Sequence, residues 1–266
     1  MTKILLVGCG KMGGALLAGW VRSGTPAADI VVVEPNPVSG LPAGLLQVAA
    51  AEAVPGAFVP DIVMLAVKPQ AMDAAAPAYA GYAAQGACFL SIAAGKTLAG
   101  LNALLGGNAA IVRSMPNTPA AVGRGITVCC AGPGVTAAQR DACQTLLEAV
   151  GEVGWVGDEA LIDAVTAVSG SGPAYVFWLT ECLAAAGEKA GLDSALSARL
   201  ARATVFGAGE LMRQSPDSPA QLRKNVTSPN GTTQAALDVL MAADGLGPLI
   251  GRAVAAAARR SRELAG

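Results

Sequence analysis

Four hydroxyls crowd the uncharged stretch VTSPNGTT at residues 226–233, where Thr227 and Ser228 precede a Pro-Asn-Gly turn and Thr232 and Thr233 follow it. A helix beginning at Thr232 or Thr233 points unpaired backbone N–H groups, the positive end of its dipole and these hydroxyls at one spot, which suits a small carboxylate. Taken alone, such a loop is the ordinary start of a capped helix. A second glycine-rich helix entry, SGSGPAY at residues 169–175, and a glycine fingerprint near the amino terminus make three such devices in one chain, which points to an enzyme.

The fingerprint is GCGKMG, with Gly8, Gly10 and Gly13 in GxGxxG spacing. With 33 glycines in the chain a chance match is common, so the context decides. The apolar run ILLV precedes it, a helical pattern follows, and Glu34 stands 34 − 13 = 21 residues after the last glycine. Each glycine then has a role: a tight turn, close approach of backbone to a pyrophosphate, and close helix-to-strand packing. Lys11 is either a phosphate contact or a solvated surface lysine. Glu34 matters for the choice of dinucleotide, because a carboxylate there accepts from the ribose hydroxyls and repels a 2′-phosphate. No Lys or Arg lies between Glu34 and Lys68, so the residues favour NADH over NADPH.

Two further segments, AVKPQ at residues 66–70 and SIAAG at residues 91–95, end apolar runs of strand type, where open α/β sheets bind ligands. RSMPNTP at residues 113–119, stiffened by two prolines, leaves another strand towards the same cleft; Arg113 reads equally as a structural residue.

The elements that must position these groups are legible in the pattern. The first half alternates short β-rich runs with alanine-rich helical stretches, the pattern of a parallel sheet covered on both faces. Strands are expected at residues 3–7, 30–34, 62–67, 87–92, 110–114, 126–130 and 152–155. Thr136 with Gln139 three residues on predicts a capping-box helix reaching about Val150. Beyond Trp155 only helices are expected, at residues 159–168, 173–190, 195–213, 219–225, 233–243 and 246–264. Residues 176–192 are apolar on several faces, as in a subunit interface. The fold class is therefore α/β: a Rossmann-type doubly wound sheet over residues 1–157, then an all-helical dimerisation and substrate-binding domain over residues 158–266.

Composition narrows the chemistry. The chain has no histidine, which excludes Ser-His-Asp and Cys-His nucleophilic machinery and the common histidine-based zinc sites; no metal is expected. Its six cysteines lack metal-finger spacing and read as small reduced core residues, which fits the cytoplasm. A formal charge of −1 without basic clusters excludes a nucleic-acid binder. Hydrophobic residues make up 53%, much of it alanine, yet no uninterrupted run is long enough for a membrane span. The apolar amino terminus superficially resembles a signal peptide, but Lys11 and four glycines interrupt it, and a buried first strand explains it better.

GCGKMG, AVKPQ, SIAAG, RSMPNTPA, AVSGSGPAYVF and VTSPNGTT stand in the order and approximate spacing of pyrroline-5-carboxylate reductases, and the resemblance covers almost the whole chain. It implies NAD(P)H-dependent reduction of 1-pyrroline-5-carboxylate to L-proline, the last step of proline biosynthesis. It implies dinucleotide contacts at Gly8, Cys9, Gly10, Lys11 and Met12, at Ala66, Val67, Lys68 and Pro69, at Ile92, Ala93 and Ala94, and at Asn225. It further implies substrate contacts at Ser228, Thr232 and Thr233, with Thr166 near the imine and Glu159 as a further contributor. Thr166 and Thr233 are the candidate catalytic residues. The family is built on intertwined homodimers, often assembled into decamers. Two departures stand out: Asn230, where the family often has glycine, and Glu34, where many members carry a small hydroxyl residue suited to a phosphate.

Two rival readings are a 3-hydroxyacid-type dehydrogenase, which needs a base such as Lys189 or Lys224, and a non-catalytic dinucleotide sensor, for which the hydroxyl loop is superfluous.

Overall fold

The apolar runs ILLV, IVVV, IVML and CFLS become β1 (Ile4–Val7), β2 (Ile30–Val33), β4 (Ile62–Leu65) and β5 (Cys88–Ser91), all buried along their length. The computed structural model describes residues 2–265. A short strand β3 (Leu46–Val48) joins β2, and β6 (Ala110–Met115), β7 (Gly125–Ala131) and β8 (Gly151–Val156) complete one eight-stranded sheet in the order β3-β2-β1-β4-β5-β6-β7-β8. The first six positions follow the doubly wound order, in which the chain reverses direction across the sheet between β1 and β4 and leaves a crevice at their carboxyl ends.

Alternate residues feed two cores, as the period of two along a strand requires. Ile4, Leu6, Val32, Met64 and Leu90 face α1 (Lys11–Arg22) and α5 (Ala137–Glu148), together with Trp20, Leu146 and Leu147. Leu5, Val7, Val33, Leu65 and Phe89 face the other side. Three short helices cover them there: α2 (Met72–Ala75), α3 (Gly81–Ala84) and α4 (Leu98–Leu104). The Trp20 indole donates to the Leu146 carbonyl at 2.8 Å, so its N–H is satisfied in the core and α1 is tied to α5. The expected capping box is present at Thr136 and Gln139.

Two features depart from the sequence expectation. The sheet is not wholly parallel, because β7 runs antiparallel to β6, with Arg113 opposite Cys130. The connection at residues 116–124 is a tight 3₁₀ turn, too short for the crossover that a parallel pair needs. Strand β3 was not expected, since three residues between glycine- and proline-rich turns show no periodicity.

By internal packing the chain divides into two compact units. The first runs to Gly170 and takes in the chain again from Ala257; the second is Ser171–Ala256. The boundary expected at residue 157 thus falls inside the first unit, for a physical reason: α6 (Leu161–Val165) is bonded to it. Glu159 accepts from Arg113 and from the Leu98 N–H, and Asp163 accepts from Ser261 at 2.6 Å.

The second unit is helical, as expected: α7 (Gly172–Lys189), α8 (Ser194–Gln214), α9 (Pro219–Asn225), α10 (Thr232–Leu240) and most of α11 (Leu246–Ala265). Pro173 sits in the first turn of α7, where its missing N–H has no partner to lose. Among the described residues of this unit only Ser197 and Ala201 are buried. Val176, Phe177, Trp178 and Leu183 on α7 and Phe206 on α8 are all exposed, so these helices have no core of their own.

Candidate active site

At the carboxyl end of β1 the chain turns through Gly8, whose φ of +90° a side chain would strain, and an added Cβ would meet the Ala66 carbonyl oxygen at 2.9 Å. Gly8 is thereby pressed against the end of β4, across the sheet's switch point. Gly13 packs against the Gly8 carbonyl, closing α1 onto the strand. Gly10, by contrast, has nothing within 4 Å of where a Cβ would stand. The helix entry is thus close-packed behind and open in front, the cradle that a pyrophosphate needs, and no side chain caps the α1 amino terminus. These residues fit a dinucleotide.

Glu34, just past β2, is held on both carboxylate oxygens. Oε2 accepts from the Cys9 N–H at 3.0 Å, and Oε1 accepts from the backbone and side-chain N–H groups of Asn36 at 3.2 and 3.1 Å. Burial alone opposes its ionisation, but these three donors together outweigh it and hold the carboxyl below its ordinary range. Burial, with the Glu34 charge beside it, pushes the Cys9 thiol up. Ala66, Val67, Lys68 and Pro69 leave β4, and Ile92, Ala93 and Ala94 leave β5. All these expected dinucleotide residues therefore gather at one edge of the first unit, except Asn225, which lies at the end of α9 in the second. There its side chain is engaged by Gln221 at 2.7 Å and Asp217 at 3.3 Å.

Thr166 opens a π-helical turn, Thr166–Gly170, that continues α6 and was not foreseen from the sequence. Such turns are frequent at functional sites. Its hydroxyl donates to the Ile162 carbonyl at 2.7 Å, and because a carbonyl can only accept, the Thr166 proton is committed there. An added side chain at Gly170 would meet Met115 Cε at 2.7 Å, so the turn lies against the start of the rigid RSMPNTP loop. Glu159 is committed to the protein through one oxygen: Oε1 accepts from Arg113 at 2.6 Å and from Leu98 at 2.7 Å. Arg113 is only 5% exposed and sits mid-strand, which gives it the structural reading weighed above.

In the second unit, Asn230 adopts φ +59°, the left-handed conformation that asparagine tolerates. The following Gly231 N–H closes a turn onto the Ser228 carbonyl at 3.0 Å. Helix α10 begins at Thr232 with Gly231 as N-cap and no side-chain cap, and its first backbone bond runs from Ala235 to Gly231. The N–H groups of Thr232, Thr233 and Gln234 therefore have no intrahelical partner. Thr227 spends its hydroxyl on the Arg223 carbonyl, whereas those of Ser228, Thr232 and Thr233 make no hydrogen bond among the described residues. No group of residues suited to a metal ion occurs among the described residues.

Two family models match the chain: one described as pyrroline-5-carboxylate reductase dimerisation over residues 159–264, the other as NADP oxidoreductase coenzyme F420-dependent over residues 3–95. A Pseudomonas aeruginosa pyrroline-5-carboxylate reductase is 44% identical over 99% of this chain and 97% of its own length. The chain belongs to the pyrroline-5-carboxylate reductase family. A Haemophilus influenzae pyrroline-5-carboxylate reductase is 38% identical over 98% of this chain and 97% of its own length. Among solved structures, a Coxiella burnetii member of the family superposes with a TM-score of 0.92 at 32% identity, covering 100% of this chain and 99% of that one. A Plasmodium falciparum pyrroline carboxylate reductase, solved with NADP bound, superposes at 0.83 and 28% identity, covering 100% and 98%. The resemblance read from the motifs and the α/β class with its helical second half both stand. Among the described residues no helix is long and apolar enough to cross a membrane.

Proposed function

We propose that the protein reduces 1-pyrroline-5-carboxylate to L-proline with a reduced nicotinamide dinucleotide. The observation that carries this reading is the full-length likeness to reductases of that name, joined to the open glycine cradle at the switch point of the sheet. When bound, the dinucleotide would supply a hydride to the carbon of an iminium whose ring nitrogen has already taken its proton from water. The protein's task is to bind and orient. Residues 8–12, 66–69 and 92–94, with Asn225, hold the dinucleotide. The free N–H groups of Thr232 and Thr233, with the hydroxyls of Ser228, Thr232 and Thr233, hold the substrate carboxylate. The Thr166 hydroxyl donates its hydrogen bond to the Ile162 carbonyl, so its oxygen faces outward as an acceptor, suited to holding the N–H of an already protonated iminium. Glu159 braces α6, which leads into Thr166, through Arg113.

The absence of histidine is no obstacle, since a protonated imine needs no base. Lys189 and Lys224, the bases that a hydroxyacid dehydrogenase would need, are exposed side chains with no hydrogen bond or ion pair among the described residues. Purified protein is expected to form proline from pyrroline-5-carboxylate as the dinucleotide is oxidised; absence of proline with both NADH and NADPH would overturn the reading. Thr166→Ala is expected to lower kcat on the order of 10-fold with little change in the KM for substrate. A change confined to KM would make Thr166 a binding group only.

NADH is the proposed preferred dinucleotide. Glu34 is ionised and fixed beside the glycine loop, where a 2′-phosphate would bring like charges together. Glu34→Ser should shift the ratio of kcat/KM towards NADPH about tenfold, equivalent to about 1.4 kcal/mol. Because the folded carboxyl titrates below its ordinary range, Glu34 stays charged at neutral pH and is neutralised only as pH falls through that lowered value. The wild-type ratio should therefore be flat over roughly pH 6 to 9. An unchanged ratio in Glu34→Ser, or a ratio that moves across that window, would show another group in control.

A homodimer through the second unit, with decamers built from such dimers, is the proposed assembly. The location is the cytoplasm: Cys88, Cys129, Cys130 and Cys143 are buried free thiols, and burial pushes that of Cys129 up to about 12, as befits inert core residues.

A further inference from the structure

We infer that Gln47, at the centre of edge strand β3, is a specificity-determining positioning residue that fixes residues 34–38 and thereby sets the discrimination between NADH and NADPH. The inference rests on the dinucleotide reading of the first unit and adds a residue that takes no part in the motifs.

The segment after β2 reads Glu34-Pro35-Asn36-Pro37-Val38. Two prolines remove alternate backbone donors, so this stretch cannot knit itself into a turn ladder. Of its three remaining N–H groups, that of Glu34 goes to the Val48 carbonyl, that of Asn36 to the Glu34 carboxylate and that of Val38 to Gln47, which also holds two of the carbonyls. Gln47 Nε2 donates to the Glu34 carbonyl at 2.8 Å and to the Asn36 carbonyl at 2.7 Å. Its Oε1 accepts from the Val38 N–H at 3.1 Å. A primary amide is the one uncharged side chain of this length that can both donate twice and accept. Register explains why it reaches: Gln47 pairs with Val32 in the parallel β2–β3 ladder, so it lies beside the chain as it leaves β2.

The consequence falls on Glu34. Its backbone is pinned by Gln47, and its carboxylate is pinned by Cys9 in the glycine loop and by Asn36, whose own carbonyl Gln47 holds. The negative charge is thus fixed at both ends and cannot swing aside to admit a phosphate. No Lys or Arg stands between Glu34 and Lys68 to offset it. Loosening the segment should let Glu34 move out, which relieves the repulsion of a 2′-phosphate while spoiling the grip on the ribose hydroxyls.

The test is direct fluorescence titration of NADH and NADPH against wild type, Gln47→Leu and Gln47→Met, each also in a Glu34→Ser background. Gln47→Met keeps the length of the side chain, adds no charge and removes the amide, so it serves if Gln47→Leu folds poorly. Both variants should raise the Kd for NADH about five- to tenfold and change that for NADPH less, moving the ratio about three- to tenfold towards NADPH. In turnover the effect should appear in the KM for dinucleotide and not in kcat at saturation. Over Glu34→Ser, neither variant should move the ratio further. A merely structural role would weaken both dinucleotides equally; that result, or an equal shift in the Glu34→Ser background, overturns the inference. Wild type that binds dinucleotide but forms no proline would sink the proposed activity while the Kd ratios still decide the role of Gln47. Wild type that binds neither dinucleotide would sink both.

Discussion

Thr233→Ala lowers kcat/KM for pyrroline-5-carboxylate by roughly 10 to 10³-fold and leaves the Kd for dinucleotide nearly unchanged: this is the expected result if the start of α10 anchors the substrate carboxylate. The first turn of α10 offers three backbone N–H groups without intrahelical partners and a hydroxyl that no other protein group uses. Removing the hydroxyl takes away one of several donors, and an anchored carboxylate is what orients the imine for hydride. Loss of orientation costs rate as well as affinity. Gly231 is the N-cap, and no side chain caps the helix, so Thr233→Ala removes no capping bond and should not unfold α10. Circular dichroism and the dinucleotide Kd check that the fold survives. Wild-type kcat/KM in a folded Thr233→Ala protein would reduce the loop to an ordinary helix start. The paired comparison with Thr166→Ala separates anchoring, which should move KM and kcat together, from handling of the iminium, which should move kcat.

Short apolar runs between turn signals made the sheet legible. Buried parallel strands are continuous apolar runs, and IVVV and IVML read as strands by their length, their flanks and the glycine fingerprint that follows ILLV. The antiparallel turn of β7 was not legible, because strand direction depends on whether residues 116–124 cross over the sheet or fold back, and composition does not record that. Strand β3 escaped because an edge strand of three residues is held by backbone pairing and by one glutamine, with no apolar alternation to betray it. Glycine positions in the site could be read because their backbone demands are specific: Gly8 must be left-handed, and Gly13 must touch Gly8. What Thr166 does with its proton was legible only in part: a threonine in the helix expected at residues 159–168 can donate to the carbonyl four residues back, as it does to Ile162, but the π-helical turn that follows leaves no mark in the pattern. Gln47 gave one indirect signal: the pattern Pro-Asn-Pro after β2 leaves backbone groups that something elsewhere must satisfy.

The second large effect is expected from Phe206→Glu. Phe206 is 74% exposed on α8 and, with Val176 and Phe177 of α7, lines a groove of about 610 Å³ between the two helices. A unit in which, among the described residues, only Ser197 and Ala201 are buried does not bury enough apolar surface to offset the entropy of ordering it. Its helices must therefore be completed by another chain, and the family model that matches residues 159–264 is described as a dimerisation domain. In a two-fold dimer each substitution enters the interface twice. An unpaired buried carboxylate destabilises by about 3 kcal/mol, so two copies cost about 6 kcal/mol and raise the dimer Kd on the order of 10⁴-fold. With no core of its own, the released second unit should lose helix content as the dimer dissociates, and specific activity at dilute assay concentration should fall by 10²-fold or more, on the order expected for an obligate assembly. Sedimentation equilibrium with circular dichroism on the same samples is the measurement. A Phe206→Glu protein that sediments as a wild-type dimer would place Phe206 outside the interface, and a folded, fully active monomer would show that the second unit stands alone.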